Sequence, residues 1–244
     1  MDRFFVPPPD WDEERLVLRG DEAHHCSRVM RKEVGAEVEA FDGAGRWAVA
    51  DLVEIGGGEV VLKVTKTGRK EALSPELVLS VAIPKGKTMD LVVQKAVELG
   101  VRVIQPLVTD RTVVRLEEKG AGKKREKWQR VALEACKQCG QNVLPEVREP
   151  VGLEGCLSAS EEGAVKIMAS LAEGAQSFRE VVEGLDVRPE RVEVLVGPEG
   201  DFSSAETQAA LEAGFQPVTL GQIVLRVETA ALYCLSALRF WWEE

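Results

Sequence analysis

The chain has 244 residues, 45% hydrophobic and 30% charged, the balance of a folded globular protein with room for one or two domains. No apolar run approaches the ~20 residues of a membrane span. The opening MDRFFVPPPDWDEE lacks a signal peptide's basic and apolar regions, and five scattered cysteines make no disulfide framework, so a cytoplasmic location is expected. The formal net charge of −10 by itself argues against nucleic acid, but residues 72–137 carry 13 basic and 8 acidic side chains while residues 138–201 carry 5 and 13. Phosphate contact needs local positive potential, so the charge leaves an RNA partner open.

Residues 1 to about 70 read as short strands with turn punctuation. Phe41 to Trp47 is strand, turn, strand, and Gly56-Gly57-Gly58 separates Ala48–Ile55 from Glu59–Thr65 as a hairpin. Gly20 to Lys32 is expected to be helical, with Asp21 as a possible cap. Its adjacent His24 and His25 point about 100° apart, so they cannot ligate one metal from one face. One is expected to pack and the other to face solvent or a partner. So many short strands suggest a small barrel. Gly68 to Ser74 is polar and is the expected linker, which divides the chain into 1–72 and 73–244.

The second part alternates strand and helix. Leu77 to Ile83 is an apolar strand, and Pro84-Lys85-Gly86-Lys87 is a basic turn. Thr88 is expected to cap a helix through Leu99, closed by Gly100, with Val101 to Val108 the next strand. That order predicts a parallel sheet with right-handed crossovers. Lys123, Lys124, Arg125, Lys127 and Arg130 cluster on a helix whose Trp128, Val131, Ala132 and Ala135 face inward. The basic face fits RNA, although such faces are commonly only solvated. Cys136-Lys137-Gln138-Cys139 is a lone CxxC in mid-helix, and no metal is expected there.

Near the C-terminus, Val165 to Ser170 is a strand, and Val192 to Val196 reads as a buried central strand ending in Gly197-Pro198-Glu199-Gly200. Ser203 and Glu206 have capping-box spacing for the helix that follows. Phe215 to Leu220 is a further strand, Gly221 opens a second loop, and from Arg226 a terminal helix runs to Trp242. Three strand ends, near Leu171, Gly197 and Leu220, thus converge where open α/β sheets bind ligands.

The two loops, GPEG-x-F-S-x-x-E and LG-x-x-x-LR-x-ETA, together with PKGKTMDLVVQKAVELGV…IQPLVTDRTV, resemble the RsmE family of the SPOUT superfamily, which methylates N3 of uridine in 16S ribosomal RNA. No acidic-x-Gly-x-Gly loop of the common methyltransferase fold is present, and no Walker loop, G-x-S-x-G elbow or HExxH helix. The resemblance implies an α/β fold in two parts. An N-terminal PUA-like, RNA-binding β-barrel precedes a mostly parallel SPOUT domain whose last strands thread a trefoil knot. It further implies a homodimer packed through the terminal helix, with 16S rRNA or the assembled small subunit as partner, and S-adenosyl-L-methionine bound in the knot. Leu171, Gly197, Pro198, Glu199, Gly200, Leu220, Gly221, Ile223, Leu225 and Ala230 are its expected cofactor-binding residues. Asp201 departs from the pattern, since the resemblance implies a small residue there, usually glycine; it adds a negative charge beside the loop.

Methylating uracil at N3 requires loss of a weakly acidic N–H proton, by a base or with a cation to stabilise the anion. Glu228 and Glu199 are candidate bases, Arg226 can stabilise the anion or hold a phosphate, and Arg3 could reach in from the barrel. Arg3, Arg28, Arg31, Lys32, Lys85, Lys87, Lys124 and Arg125 are the expected RNA contacts. Each is also readable as a solvated surface charge, and Glu228 as a first-turn carboxylate favoured by the helix dipole. The alternatives are a SPOUT enzyme acting on another RNA position or a ribose 2′-hydroxyl, and a non-catalytic ribosome-binding factor.

Overall fold

The fold is given by a computed structural model that describes residues 1–112, 118–172, 174–185 and 187–242. Val113 and Glu173, which fall within stretches read above, lie outside the described residues. The chain forms two compact units, residues 1–72 with 136–144, and residues 73–135 with 145–244.

In the first unit the strands are β1 (Arg3–Phe5), β2 (Arg15–Leu18), β3 (Glu37–Phe41), β4 (Arg46–Gly56) and β5 (Glu59–Arg69). They make one sheet in the order β1-β3-β4-β5-β2, in which only β1 and β3 are parallel. Alternation sends Val38 and Ala40 of β3, and Ala48, Ala50 and Leu52 of β4, into a fully buried core with Phe4, Leu16, Leu18 and Leu62. Gly57 and Gly58 turn the expected hairpin with φ of 60° and 81°, the left-handed values that tight hairpin turns require. Buried Asp42 holds the Phe41–Trp47 turn by accepting from the Ala44 and Arg46 N–H groups and pairing with the Arg46 guanidinium at 2.7 Å.

Two expectations shift here. The Gly20–Lys32 helix is a short α1 (Gly20–His24) running into a π-helical turn over His25–Val29, and Asp21 sits in its first turn while Arg19 holds the cap position. The strand β5 also continues through Gly68 and Arg69, which had read as linker. The Trp47 ring lies over Gly68, where a Cβ would come within 2.5 Å of it. A position that looks flexible in sequence is therefore a packing requirement of the strand pair.

The second unit is a sheet of eight strands, all paired in parallel. Its elements in chain order are β6 (Glu76–Ala82), α2 (Thr88–Glu98), β7 (Val103–Val108), α3 (Glu118–Cys139), β8 (Glu146–Val147), β9 (Val151–Gly152), α4 (Leu153–Ser158) and β10 (Val165–Ala169). They continue with β11 (Gln176–Ser177), α5 (Phe178–Glu183), β12 (Arg191–Val196), α6 (Ser204–Glu212), β13 (Gln216–Thr219) and α7 (Val227–Trp242). The strands lie in the order β11-β13-β10-β12-β6-β7-β8, with β9 also on β7.

As its run of β-branched residues predicts, β12 is a central strand, flanked by β10 and β6 and buried from Val192 to Val196. The helix α7 lies on β12 and β6 and against α2. Lys87, not Thr88, holds the N-cap position of α2, and no side chain caps it. Gly100 does close that helix, with φ of 75°. No helix among the described residues is long and apolar enough to cross a membrane.

Candidate functional site

Parallel strands deliver their carboxyl ends to one edge of the sheet, and β10, β12 and β13 are neighbours. At that edge β12 stops at Gly197. A Cβ there would meet the Phe202 ring at 3.1 Å and Asp201 Oδ1 at 3.3 Å, so the close turn admits only glycine without movement. The turn is closed by the Asp201 N–H, which donates to the Pro198 carbonyl at 2.9 Å. The expected capping box then opens α6: the Ser203 hydroxyl accepts from the Glu206 N–H, and the Glu206 carboxylate accepts from the Ser203 N–H at 2.8 Å.

The same two residues fasten the loop after β7. Glu206 accepts from the Asp110 N–H at 2.9 Å, and the Ser203 hydroxyl donates to Asp110 at 2.7 Å. Arg111, from that loop, donates to the carbonyls of Gly200 and Phe202. The outer side of the Gly197–Gly200 turn is thus clamped by residues about 90 positions away in sequence.

The inner side faces a cleft that is open to solvent. Its walls are Ala169, Ser170 and Leu171 after β10, Val196 to Glu199 and Asp201 after β12, Thr219 to Gly221 and Ile223 to Leu225 after β13, and Val227 and Ala230 of α7. Leu171, Ile223 and Val224 are 60%, 78% and 70% exposed, and such apolar exposure gathered in one concavity marks a binding site. Glu199 and Asp201 line the cleft, and none of the lining residues is basic.

Nine of the ten cofactor-binding expectations line this cleft: Leu171, Gly197, Pro198, Glu199, Leu220, Gly221, Ile223, Leu225 and Ala230. The tenth, Gly200, belongs to the turn but faces Arg111 instead. Sequence reasoning did not single out Ser170, Thr219, Val224, Val227 or Arg111, because no local motif marks a residue that a distant loop brings in. Arg226 is exposed, and its carbonyl accepts from the Ala230 N–H at 2.8 Å, which makes it the N-cap of α7 between two lining residues. Glu228 is half-buried in the first turn. Glu199 is exposed and accepts from the Lys85 N–H at 3.4 Å, drawing the Lys85–Lys87 turn to the cleft.

In the first unit Arg3 is engaged internally. Its side chain is 7% exposed, pairs with Glu39 at 3.0 Å, donates to the carbonyls of Cys136 and Gln141 and to the Asn142 amide oxygen, and lies 4.6 Å above the Phe41 ring. Expected as a phosphate contact and catalytic helper, it serves the packing of its own unit. Lys32 pairs with Asp2, while Arg28 and Arg31 are exposed. His25 packs edge-on to Phe4 and His24 is exposed. Lys85 and Lys87 are exposed. Lys124 is half-buried, and burial followed by the nearby Lys127 charge lowers its pKa. Arg125 is exposed and donates to the Val147 carbonyl at 3.2 Å. Among the described residues no group of three or more His, Cys, Asp or Glu side chains could hold a metal ion.

A family model described as an RNA methyltransferase domain matches residues 69–239, and one described as an RNA methyltransferase PUA domain matches residues 18–65. The chain is 38% identical to the ribosomal RNA small subunit methyltransferase E of Aquifex aeolicus, over 93% of this chain and 97% of that one. It is 29% identical to the protein of the same name from Bacillus subtilis, over 98% and 96%. The fold superposes on the ribosomal RNA small subunit methyltransferase E of Neisseria gonorrhoeae, bound to S-adenosyl methionine, with a TM-score of 0.88, 30% identity and coverage of 99% and 98%.

Proposed function

The chain belongs to the ribosomal RNA small subunit methyltransferase E (RsmE) family of RNA methyltransferases, and from that premise we propose that it methylates N3 of a uridine in the decoding region of 16S ribosomal RNA, with S-adenosylmethionine as methyl donor. The observation that carries this is the cleft, where the ends of β10, β12 and β13 gather three exposed apolar side chains and two carboxylates around a glycine turn. That lining fits the cofactor. Leu220, Ile223 and Leu225 offer an apolar sandwich for a purine, the turns at Gly197 and Gly221 let backbone groups approach it, and the acidic lining suits a cation. S-adenosylmethionine supplies a methyl group from a positively charged sulfur, which leaves as a neutral thioether.

The residues around the cleft then do the rest. Arg226, exposed between the lining residues Leu225 and Val227, stabilises negative charge growing on a uracil ring losing its N3 proton. Glu228 or Glu199 accepts that proton. Lys85 and Lys87, held near by the Glu199 contact, bind phosphates of the RNA, as do Arg28 and Arg31 of the first unit. Tyr233, Phe240 and Trp241 of α7 remain exposed and supply the face on which two copies pair. The knotted threading implied by the resemblance belongs to the same proposal: β13, the last strand, lies between β10 and β11, both of which precede it.

Mass spectrometry of small-subunit RNA nucleosides from cells with and without the protein tests this. N3-methyluridine alone is lost, and is restored by wild type but not by Arg226→Ala. An unchanged profile would sink the assignment.

A further inference from the structure

Asp201 is one of only two non-glycine residues among those described with a left-handed backbone, at φ of 61°. That conformation is uncommon outside glycine, and aspartate and asparagine adopt it more readily than other residues with a Cβ. It lines the cleft, and its Oδ1 lies 3.3 Å from where a Cβ on Gly197 would sit. The carboxylate is anchored from two walls. Oδ1 accepts from the Phe202 N–H at 2.8 Å, and Oδ2 accepts from the Leu171 N–H at 3.4 Å, across the cleft end of β10. A charge fixed by its own backbone needs little rearrangement to act on a ligand. The nearest turn-clamping cation, Arg111, spends its guanidinium on the carbonyls of Gly200 and Phe202 and does not line the cleft.

We propose that Asp201 is a specificity-determining residue that makes the cleft prefer the cationic sulfonium cofactor over its neutral thioether product, S-adenosylhomocysteine. The proposal rests on the cofactor assignment above. Product and cofactor share purine, ribose and amino acid, so the apolar walls hold both alike, and the single positive charge on sulfur is what an anchored carboxylate distinguishes. An unpaired negative charge left beside the thioether favours its departure after each transfer.

Isothermal titration of the full chain with each ligand, for wild type, Asp201→Asn and Asp201→Gly, tests it. The asparagine keeps an acceptor for the Phe202 N–H and tolerates the left-handed backbone, so it removes the charge alone. Wild type is expected to bind S-adenosylmethionine about tenfold more tightly than S-adenosylhomocysteine, the size of one partly screened charge contact. In both variants the ratio falls to about twofold, with the thioether affinity held within about threefold as the internal sign of an intact cleft. Equal loss of both ligands, or an unchanged ratio, overturns the proposal and leaves Asp201 as a clasp on the Leu171 loop. Failure of wild type to bind either ligand overturns the cofactor assignment, and this proposal with it.

Discussion

Arg3 shows how little a residue's charge says about its use. Read along the chain it is a basic residue near an RNA-binding module, yet its guanidinium is buried and committed to Glu39, to two carbonyls and to Asn142, over Phe41. Arg3→Ala leaves those acceptors without a donor and is expected to destabilise the protein by about 3 kcal/mol in urea denaturation, and Arg3→Lys, lacking the planar fork, by nearly as much. Unchanged stability with weakened RNA binding would restore the phosphate-contact role. The cysteines make a second residue-scale prediction. Burial pushes the thiols of Cys26 up to about 11 and of Cys136 and Cys234 up to about 12, and raises Cys156, whereas Cys139 is exposed. A thiol reagent at pH 8 should therefore label one cysteine of the five in the native chain, all five in denaturant, and none natively in Cys139→Ser.

Among the elements, α6 and α5 form a natural comparison. Both open with a complete capping box, from Ser203–Glu206 and Ser177–Glu180, and both boxes are visible as a serine three residues ahead of a glutamate. Only Ser203 and Glu206 also bond Asp110, tying the β7 loop to the cleft turn. Ser177→Ala is expected to cost about 1 kcal/mol, a typical cap. Ser203→Ala should cost about 2 kcal/mol and weaken cofactor binding as well, since the clamp on the turn loosens. Thermal melts and titration of the two variants would separate the roles, and equal losses would mean that the Asp110 bond carries nothing. The helix α7 is tied down in the same long-range manner, with Arg239 donating to the carbonyls of Leu99 and Gly100 at the C-terminal end of α2, where a cation suits the helix dipole, and to that of Pro75 just ahead of β6.

At the scale of the whole molecule a net charge of −10 has to coexist with RNA binding. Affinity then depends on a few local cations and on salt. Replacing Lys85 and Lys87 by glutamate together should weaken RNA binding at least tenfold and reduce the slope of log K against log salt by about 2, with cofactor affinity unchanged. An unaltered slope would remove that turn from the RNA face. The proposed dimer is tested by sedimentation: the wild-type chain should run as two copies, and Phe240→Glu with Trp241→Glu as one. Phe240 is 80% exposed and Trp241 45%, so a monomeric variant that keeps its melting temperature separates pairing from folding.

The sequence by itself determined the longer strands, the parallel class of the second unit, the capping box of α6 and the glycine turn at the end of β12, and the family resemblance added nine residues that line the cleft. The elements are written in neighbouring positions: β-branched runs for buried strands, Ser-x-x-Glu for a cap, glycine for a close turn. What it left open was everything set by partners far along the chain. Gly68 reads as linker until the Trp47 ring covers it, Arg3 reads as free until Cys136 to Asn142 fold against it, and Arg111 has no local signal for clamping Gly200. Asp201 stands out in sequence only as a departure from its family's pattern; the tertiary structure decided that it takes up a left-handed backbone and joins two walls of the cleft. Local propensity is a property of a few adjacent residues, whereas burial, ion pairing and ligand geometry arise only when strands distant in sequence lie side by side.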